Sequence, residues 1–380
     1  MMDSSYLESL ELPQEKFPQT WKILKSGIQE GVAPGFVAGL WSTKNPDQIY
    51  VCAQGQRRLV PSIQPMQVNT CFDLASVTKV FATATLTAVL IDRGWLSWGT
   101  SVSSIFPSYP YPKIEIRHLL SHTAGFVAWH PFWEEMRHYF FPQALEAVSI
   151  QRRQNRMKER ILALAPDAEV GTQTLYSDIS FILLGFLLEE VTQMPLDHAV
   201  RRFVWQPMGV RGASFRRVTR SVVDAVDESA AATEDCPWRG GVVQGQVHDD
   251  NCWAMGGYAG HAGAFGSARD LLYFSKKLME GFISPIILKQ MWTRVSLPAG
   301  CTRTLGWDTP SGDLPAASLL FSSQSVGHLG FSGTSLWIDP AENLAVVLLS
   351  NRIHPSRDNI KIREFRSHFH KAIWLEQLTF

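Results

Sequence analysis

The chain has no cysteine framework. Its five cysteines, Cys52, Cys71, Cys236, Cys252 and Cys301, are scattered without a CxxC pair, and an odd, dispersed set points to reduced thiols rather than disulfides or a zinc site. Net charge is also missing, since 35 basic and 35 acidic side chains cancel. That removes any overall electrostatic drive toward nucleic acid or an anionic membrane surface. The most apolar stretch, 179–188, falls short of the roughly 20 residues a helix needs to span a bilayer, so no membrane span is expected. The N-terminus carries acidic residues where a signal peptide has a basic and then an apolar region. A cytoplasmic protein is expected, or a periplasmic one if a leader has been lost. GxSxG, P-loop and GxGxxG motifs are absent, which argues against an α/β-hydrolase, an NTPase or a dinucleotide enzyme. His118 and His122 are spaced i, i+4 but lack the glutamate of HExxH, and His248-Asp249-Asp250 stands alone. No metal and no cofactor are expected.

What is present is an ordinary globular balance, 45% hydrophobic and 18% charged over 380 residues, enough to bury a large core. Pro18 suits the first position of a helix, with Phe17, Trp21, Leu24 and Ile28 at helical spacing and Gly31 ending the run. Runs 36–42 and 48–53 around Asn45-Pro46-Asp47 read as a hairpin. Segments 76–92, 116–122, 132–164, 179–192, 195–204 and 268–281 read mainly as helices. Strands return at 325–338 and 344–350 around a turn at 339–343, and a last helix covers roughly 358–374. The basic run Arg152, Arg153, Arg156, Lys158 and Arg160 reads as a solvated helix face. The fold expected is α+β: an antiparallel sheet built from both ends of the chain, flanked by terminal helices, with a mainly helical lobe inserted. Residues 1–75 and 295–380 would form the discontinuous sheet domain and 76–294 the helical one, with the active site in the cleft between them.

Three segments can carry chemistry. Ser76 and Lys79 begin an apolar helix, and positions i and i+3 share a helix face. A serine in the first helical turn meets free backbone N–H groups, and a lysine in a dry cleft can lose its proton and serve as base. Tyr176, just before a helix, can shuttle protons if a cation lowers its pKa; equally, Tyr176 is a loop residue and Asp178 a helix cap. Gly327-His328-Leu329-Gly330-Phe331-Ser332-Gly333-Thr334 can offer backbone N–H groups to an oxyanion, or be a Gly-rich strand edge with an incidental histidine.

The order Ser-x-x-Lys, Tyr-x-Asp, His-x-Gly resembles the serine β-lactamase-related family, especially its class C branch of β-lactamases, D-Ala-D-Ala carboxypeptidases, low-molecular-weight penicillin-binding proteins and β-lactamase-fold esterases. Segments 117–125 (RHLLSHTAG) and 260–266 (GHAGAFG) also look like this family. The resemblance runs from about Gly35 to Asn351 and implies a β-lactamase/transpeptidase-like fold. It further implies that Ser76 is acylated, with Lys79 as proton acceptor or electrostatic partner. Tyr176 would help deprotonate Ser76 and later activate water, and His328 would take the place of the lysine in Lys-Thr-Gly. The oxyanion and substrate would be held by Ser76, Phe331, Gly330 and Asp178.

Two positions depart from the pattern. Asp178 replaces the usual Asn, which should hold Lys79 protonated and removes an amide donor. Leu329 replaces the Thr or Ser that donates a hydroxyl to a substrate carboxylate, leaving Ser332 or Thr334 as substitutes. The expected function is therefore an esterase or amidase working through an acyl-enzyme on a small-molecule ester, amide or peptide. The alternatives are a D-Ala-D-Ala carboxypeptidase or penicillin-binding protein, a β-lactamase, and a non-catalytic binding relative. Trp129, Phe132, Trp133, Tyr139, Phe140 and Phe141 are candidates for an apolar acyl pocket or for core.

Overall fold

The computed structural model describes residues 7, 9–219 and 227–380. Its main sheet runs in the order Ser9–Glu11, Ile49–Arg58, Gly35–Ser42, Leu344–Ser350, Ser335–Asp339, Val326–Leu329. Neighbours are antiparallel except for the first pair, where Ser9–Glu11 lies parallel to Ile49–Arg58. The centre of the sheet joins the two ends of the chain, with Leu344 opposite Ser42 and Ser350 opposite Phe36.

The central strands are apolar throughout because both faces are covered. Phe36, Ala38 and Leu40 enter one core together with Val346 and Leu348, against Leu24, Phe365, Phe369 and Ile373 of the helices Pro18–Gln29 and Ile362–Gln377. Val37, Trp41, Val347 and Leu349 turn to the other face and join a larger core with Leu271, Leu272 and the central helices. The period of two along each strand thus divides the molecule into its two cores.

Several sequence expectations change here. The helix expected over 132–164 is two, Phe132–Phe140 and Ile150–Leu162. Pro142 ends the first, since it lacks an N–H and drives Phe141 into an extended conformation. The strand expected over 325–338 is also two, paired as a hairpin from Val326↔Ile338 to Leu329↔Ser335. Their turn closes through Gly330 N–H to Thr334 O at 2.7 Å, with Gly333 at φ 105°. In the basic run Arg153 is not solvated: it is fully buried and donates to the carbonyls of Val218 and Trp253. By composition, Ala75–Asp92 is a longer apolar run than 179–188. Among the described residues it is the one unbroken helix long and apolar enough to cross a membrane, and 78% of it is buried within the fold. All five cysteines are unpaired.

Candidate active site

Ser76 owes its position to a strained turn. Ala75 takes a positive φ of 47°, a conformation that costs a non-glycine residue roughly 1–2 kcal/mol. The neighbouring carboxylate holds it there: Asp73 Oδ1 accepts from Ala75 N–H at 2.9 Å, and Asp73 Oδ2 accepts from His248 N–H at 2.6 Å. A tight turn over Ala75–Val77 follows, then a widened π-helical turn over Lys79–Ala84, a local form frequent at functional sites. Thr83 Oγ1 donates to Gly260 O at 2.7 Å, which ties this helix to the loop holding His261.

Lys79 is fully buried. Its Nζ lies 3.1 Å from Ser76 Oγ, 2.7 Å from Asp178 Oδ1 and 3.0 Å from His261 O, so all three ammonium donors are matched. Burial by itself opposes the charge, but the Asp178 carboxylate and Tyr176 outweigh it and raise the Lys79 pKa. The lysine is therefore an ammonium at rest, as the Asp178 departure suggested. His261 is fixed in turn by Asp249 Oδ1, 2.8 Å from Nε2.

Tyr176 arrives from the helix Asp178–Thr192, whose cap is Ser177, not Asp178. That leaves the Asp178 carboxylate free to face Lys79. The phenol interacts with both Ser76 and Lys79, and Lys79 Nζ is 5.0 Å from its ring centre. Contrary to the sequence expectation, the Tyr176 pKa is raised: burial outweighs the lowering by Lys79.

His122 supports this segment, a role that the sequence left unassigned. Its Nδ1 accepts from Ser177 N–H at 3.0 Å, and its ring lies 4.5 Å from that of Tyr176. Burial, then Arg303 and Lys79, push its pKa well down, so the ring is neutral. His118 is elsewhere engaged, accepting from Glu115 N–H. Among the described residues, no three His, Cys, Asp or Glu side chains converge as a metal site.

The third motif splits in two. His328 is buried on the strand, with Nδ1 2.9 Å from Leu329 O, and its Nε2 has no partner. Burial and then Lys79 hold its pKa well below the ordinary value, so no cation stands where the resemblance implies one. The hairpin turn then packs on the segment before Ser76. Ser332 Oγ donates to Asp73 O at 2.8 Å and Thr334 Oγ1 to Leu74 O at 3.0 Å. Both hydroxyls are therefore committed and do not replace the one lost at Leu329. Gly330 is also engaged, its N–H on Thr334 O and its carbonyl on Arg366 Nη2, so it shapes the turn and offers no donor. Among the described residues, the N–H groups of Ser76 and Phe331 donate to nothing.

Of the aromatic candidates, Phe132 and Phe140 are core. Trp129 and Tyr139 are exposed. Trp133 stacks on Trp238 at 4.6 Å and, with Phe141, lines a cavity of about 840 Å³ that Ser76 does not line.

The sequence profile of the Beta-lactamase family matches residues 24–369. A Salmonella typhi protein provisionally named D-alanyl-D-alanine carboxypeptidase is 29% identical over 325 residues, covering 77% of this chain and 72% of that protein. Many solved structures share the fold. One is EstCE1, a hydrolase with promiscuous acyltransferase activity, with TM-score 0.69, 24% identity, and 95% of this chain and 99% of that one covered. Another is simvastatin synthase (LovD) from Aspergillus terreus, with TM-score 0.71, 17% identity, and coverage of 96% and 100%. With sheet, helices and profile in agreement over residues 24–369, the chain belongs to the β-lactamase family of serine hydrolases and has its α+β, β-lactamase/transpeptidase-like fold.

Proposed function

We propose that this protein is an acyl-enzyme hydrolase of small esters or amides, with Ser76 as its nucleophile. The observation that carries the reading is one ammonium, Lys79 Nζ, bonded at once to Ser76 Oγ and to Asp178 Oδ1. A protonated lysine and a neutral phenol cannot take the serine's proton as they stand. The base at hand is Asp178: Lys79 passes one proton to Oδ1 as it receives that of Ser76, and Ser76 Oγ bonds to the substrate carbonyl carbon. Tyr176 then protonates the departing oxygen or nitrogen and recovers its proton from the Lys79–Asp178 pair, which returns to its charged form. Water attacks the acyl-enzyme by the reverse route.

Charge on the carbonyl oxygen would be met by the N–H groups of Ser76 and Phe331, for which no acceptor is found among the described residues. Each such donor contributes on the order of 10²–10³ in rate.

A D-alanyl-D-alanine carboxypeptidase is the second reading, favoured by the name of the 29% identical relative. The neutral His328 and the committed hydroxyls of Ser332 and Thr334 weigh against it. Hydrolysis of p-nitrophenyl butyrate by the wild type and by Ser76→Ala, with intact-mass detection of the adduct, tests the proposal. Turnover and an adduct confined to the wild type are expected. Equal turnover in both would remove Ser76 from the mechanism. Labelling by benzylpenicillin in place of the ester would move the assignment to the peptidase.

A further inference from the structure

A peptide unit is planar and trans, so each N–H points opposite to the carbonyl of the residue before it. The carbonyl that sets the direction of the Phe331 N–H is therefore that of Gly330. It accepts from Arg366 Nη2 at 2.9 Å, and the same nitrogen donates to Thr334 O at 2.8 Å at the other end of the turn. The following carbonyl, Phe331 O, accepts from Arg352 Nε at 2.8 Å, and the Arg352 guanidinium carbon lies 4.5 Å from the Phe331 ring centre. The ring itself is 49% exposed, so core packing does not hold the residue.

Arg366 is a costly brace for a turn. It is carried inward on the terminal helix beside Phe365 and Phe369 and is only 6% exposed. Among the described residues no carboxylate pairs with it. Burial, then the positive charges of Arg352 and Arg363, push its pKa down to about 9. Its Nε is buried without an acceptor. Burying an unpaired charge is unfavourable, and a neutral amide also has two N–H donors for two carbonyls. A neutral group lacks the polarising effect of a cation. A guanidinium on a carbonyl draws electron density from that peptide and strengthens its N–H as a donor. The charge of Arg366 reaches the cleft, where it is among those that lower the pKa of His328.

We propose that Arg366 aims and polarises the peptide whose N–H meets the charge on the substrate's carbonyl oxygen. The role rests on the hydrolase reading, which gives that N–H its work. Arg366 touches no reacting atom, so it is a positioning residue.

Propylboronic acid, in which boron replaces the carbonyl carbon of a butyryl group, forms a tetrahedral adduct with a nucleophilic serine and so reports on the oxyanion donors. The test compares its Ki with KM and kcat for p-nitrophenyl butyrate in the wild type, Arg366→Gln and Arg366→Lys. Neither Ki nor KM depends on how much of a preparation is folded. In Arg366→Gln, Ki should rise and kcat should fall by about tenfold, part of the 10²–10³ that a whole donor contributes. KM should barely change. Arg366→Lys keeps the charge without the planar group and should recover part of both losses. A lowered unfolding midpoint with Ki unchanged would mean that Arg366 only holds the turn folded, which overturns the assignment. Should Arg366→Gln fail to fold, Arg366→Lys decides alone: about a threefold rise in Ki at constant KM is expected, and a wild-type Ki overturns the assignment. Those results leave the hydrolase reading standing. No turnover of the ester by the wild type overturns that reading and the role of Arg366 with it.

Discussion

Lys79 Nζ stands 2.7 Å from Asp178 Oδ1, and this contact sets the protonation state of the whole site. The family resemblance implies an asparagine amide there, which would leave the buried lysine without an opposing carboxylate. The carboxylate instead raises the lysine's pKa, so on the proposed reading proton transfer runs through the pair rather than to a free amine. Buried ion pairs often add little stability over apolar replacements. Chemistry is therefore the better reason for keeping this one.

The first prediction follows from that pair. Asp178→Asn leaves Lys79 without a proton sink, and kcat for p-nitrophenyl butyrate should fall about hundredfold, in the range of a lost acid–base partner. KM should change little, because the carboxylate is directed at the lysine. A variant with wild-type kcat would show that the relay does not end on Asp178.

Gly330 offers a steric test of the hairpin turn. A Cβ there would come within 2.0 Å of Thr334 Oγ1 and 2.7 Å of Leu74 O, and the second atom is backbone that cannot rotate away. Gly330→Ala should therefore push the turn off Leu74 and displace the Phe331 N–H. Esterase kcat should fall by about tenfold or more, with stability lowered by about 1–3 kcal/mol. Full activity with an undisturbed unfolding midpoint would mean that the turn has slack the packing does not suggest.

His122 tests whether Tyr176 needs its support. Removing the ring in His122→Ala deletes the acceptor for Ser177 N–H and the face on which Tyr176 rests. We expect kcat to drop by about tenfold, since misplaced catalytic groups are penalised steeply. His122→Asn should recover most of it: an amide oxygen can accept from Ser177, and Asn tolerates the positive φ of 59° at this position. Equal losses in the two variants would mean that the hydrogen bond does not position the tyrosine.

These tests fall where sequence reasoning was weakest. The convergence of Ser76, Lys79 and Tyr176 was legible because a serine and a lysine one helical turn apart and a phenol at a helix start are local patterns, and the alternating sheet residues were legible from their period. His122 was not. It acts across the fold, 54 positions from Tyr176 along the chain, and a lone histidine carries no local signal. The break at Pro142 was visible in principle, but the apolar spacing continued past it and masked the stop. The split at Gly330–Thr334 was harder to see, because what bends the strand is the packing of Thr334 on Leu74, a contact between residues far apart in sequence.

The last prediction concerns stability and uses a histidine outside the site. His370 is fully buried on the terminal helix, its Nδ1 donating to Arg366 O at 2.7 Å. Burial, reinforced by the Arg366 charge, pushes its pKa down to about 4 from an ordinary value of 6.5. Below pH 6.5 the unfolded chain binds a proton that the folded chain refuses, so the stability present above that pH is lost as pH falls from 6.5 toward 4. A shift of this size corresponds to about 3 kcal/mol. Urea unfolding at pH 7 and at pH 4 should show a loss smaller by about that amount in His370→Asn, which keeps a donor for Arg366 O and does not titrate. If wild type and variant lose stability in parallel, His370 accepts its proton without unfolding, and the terminal helix must open locally to let it in.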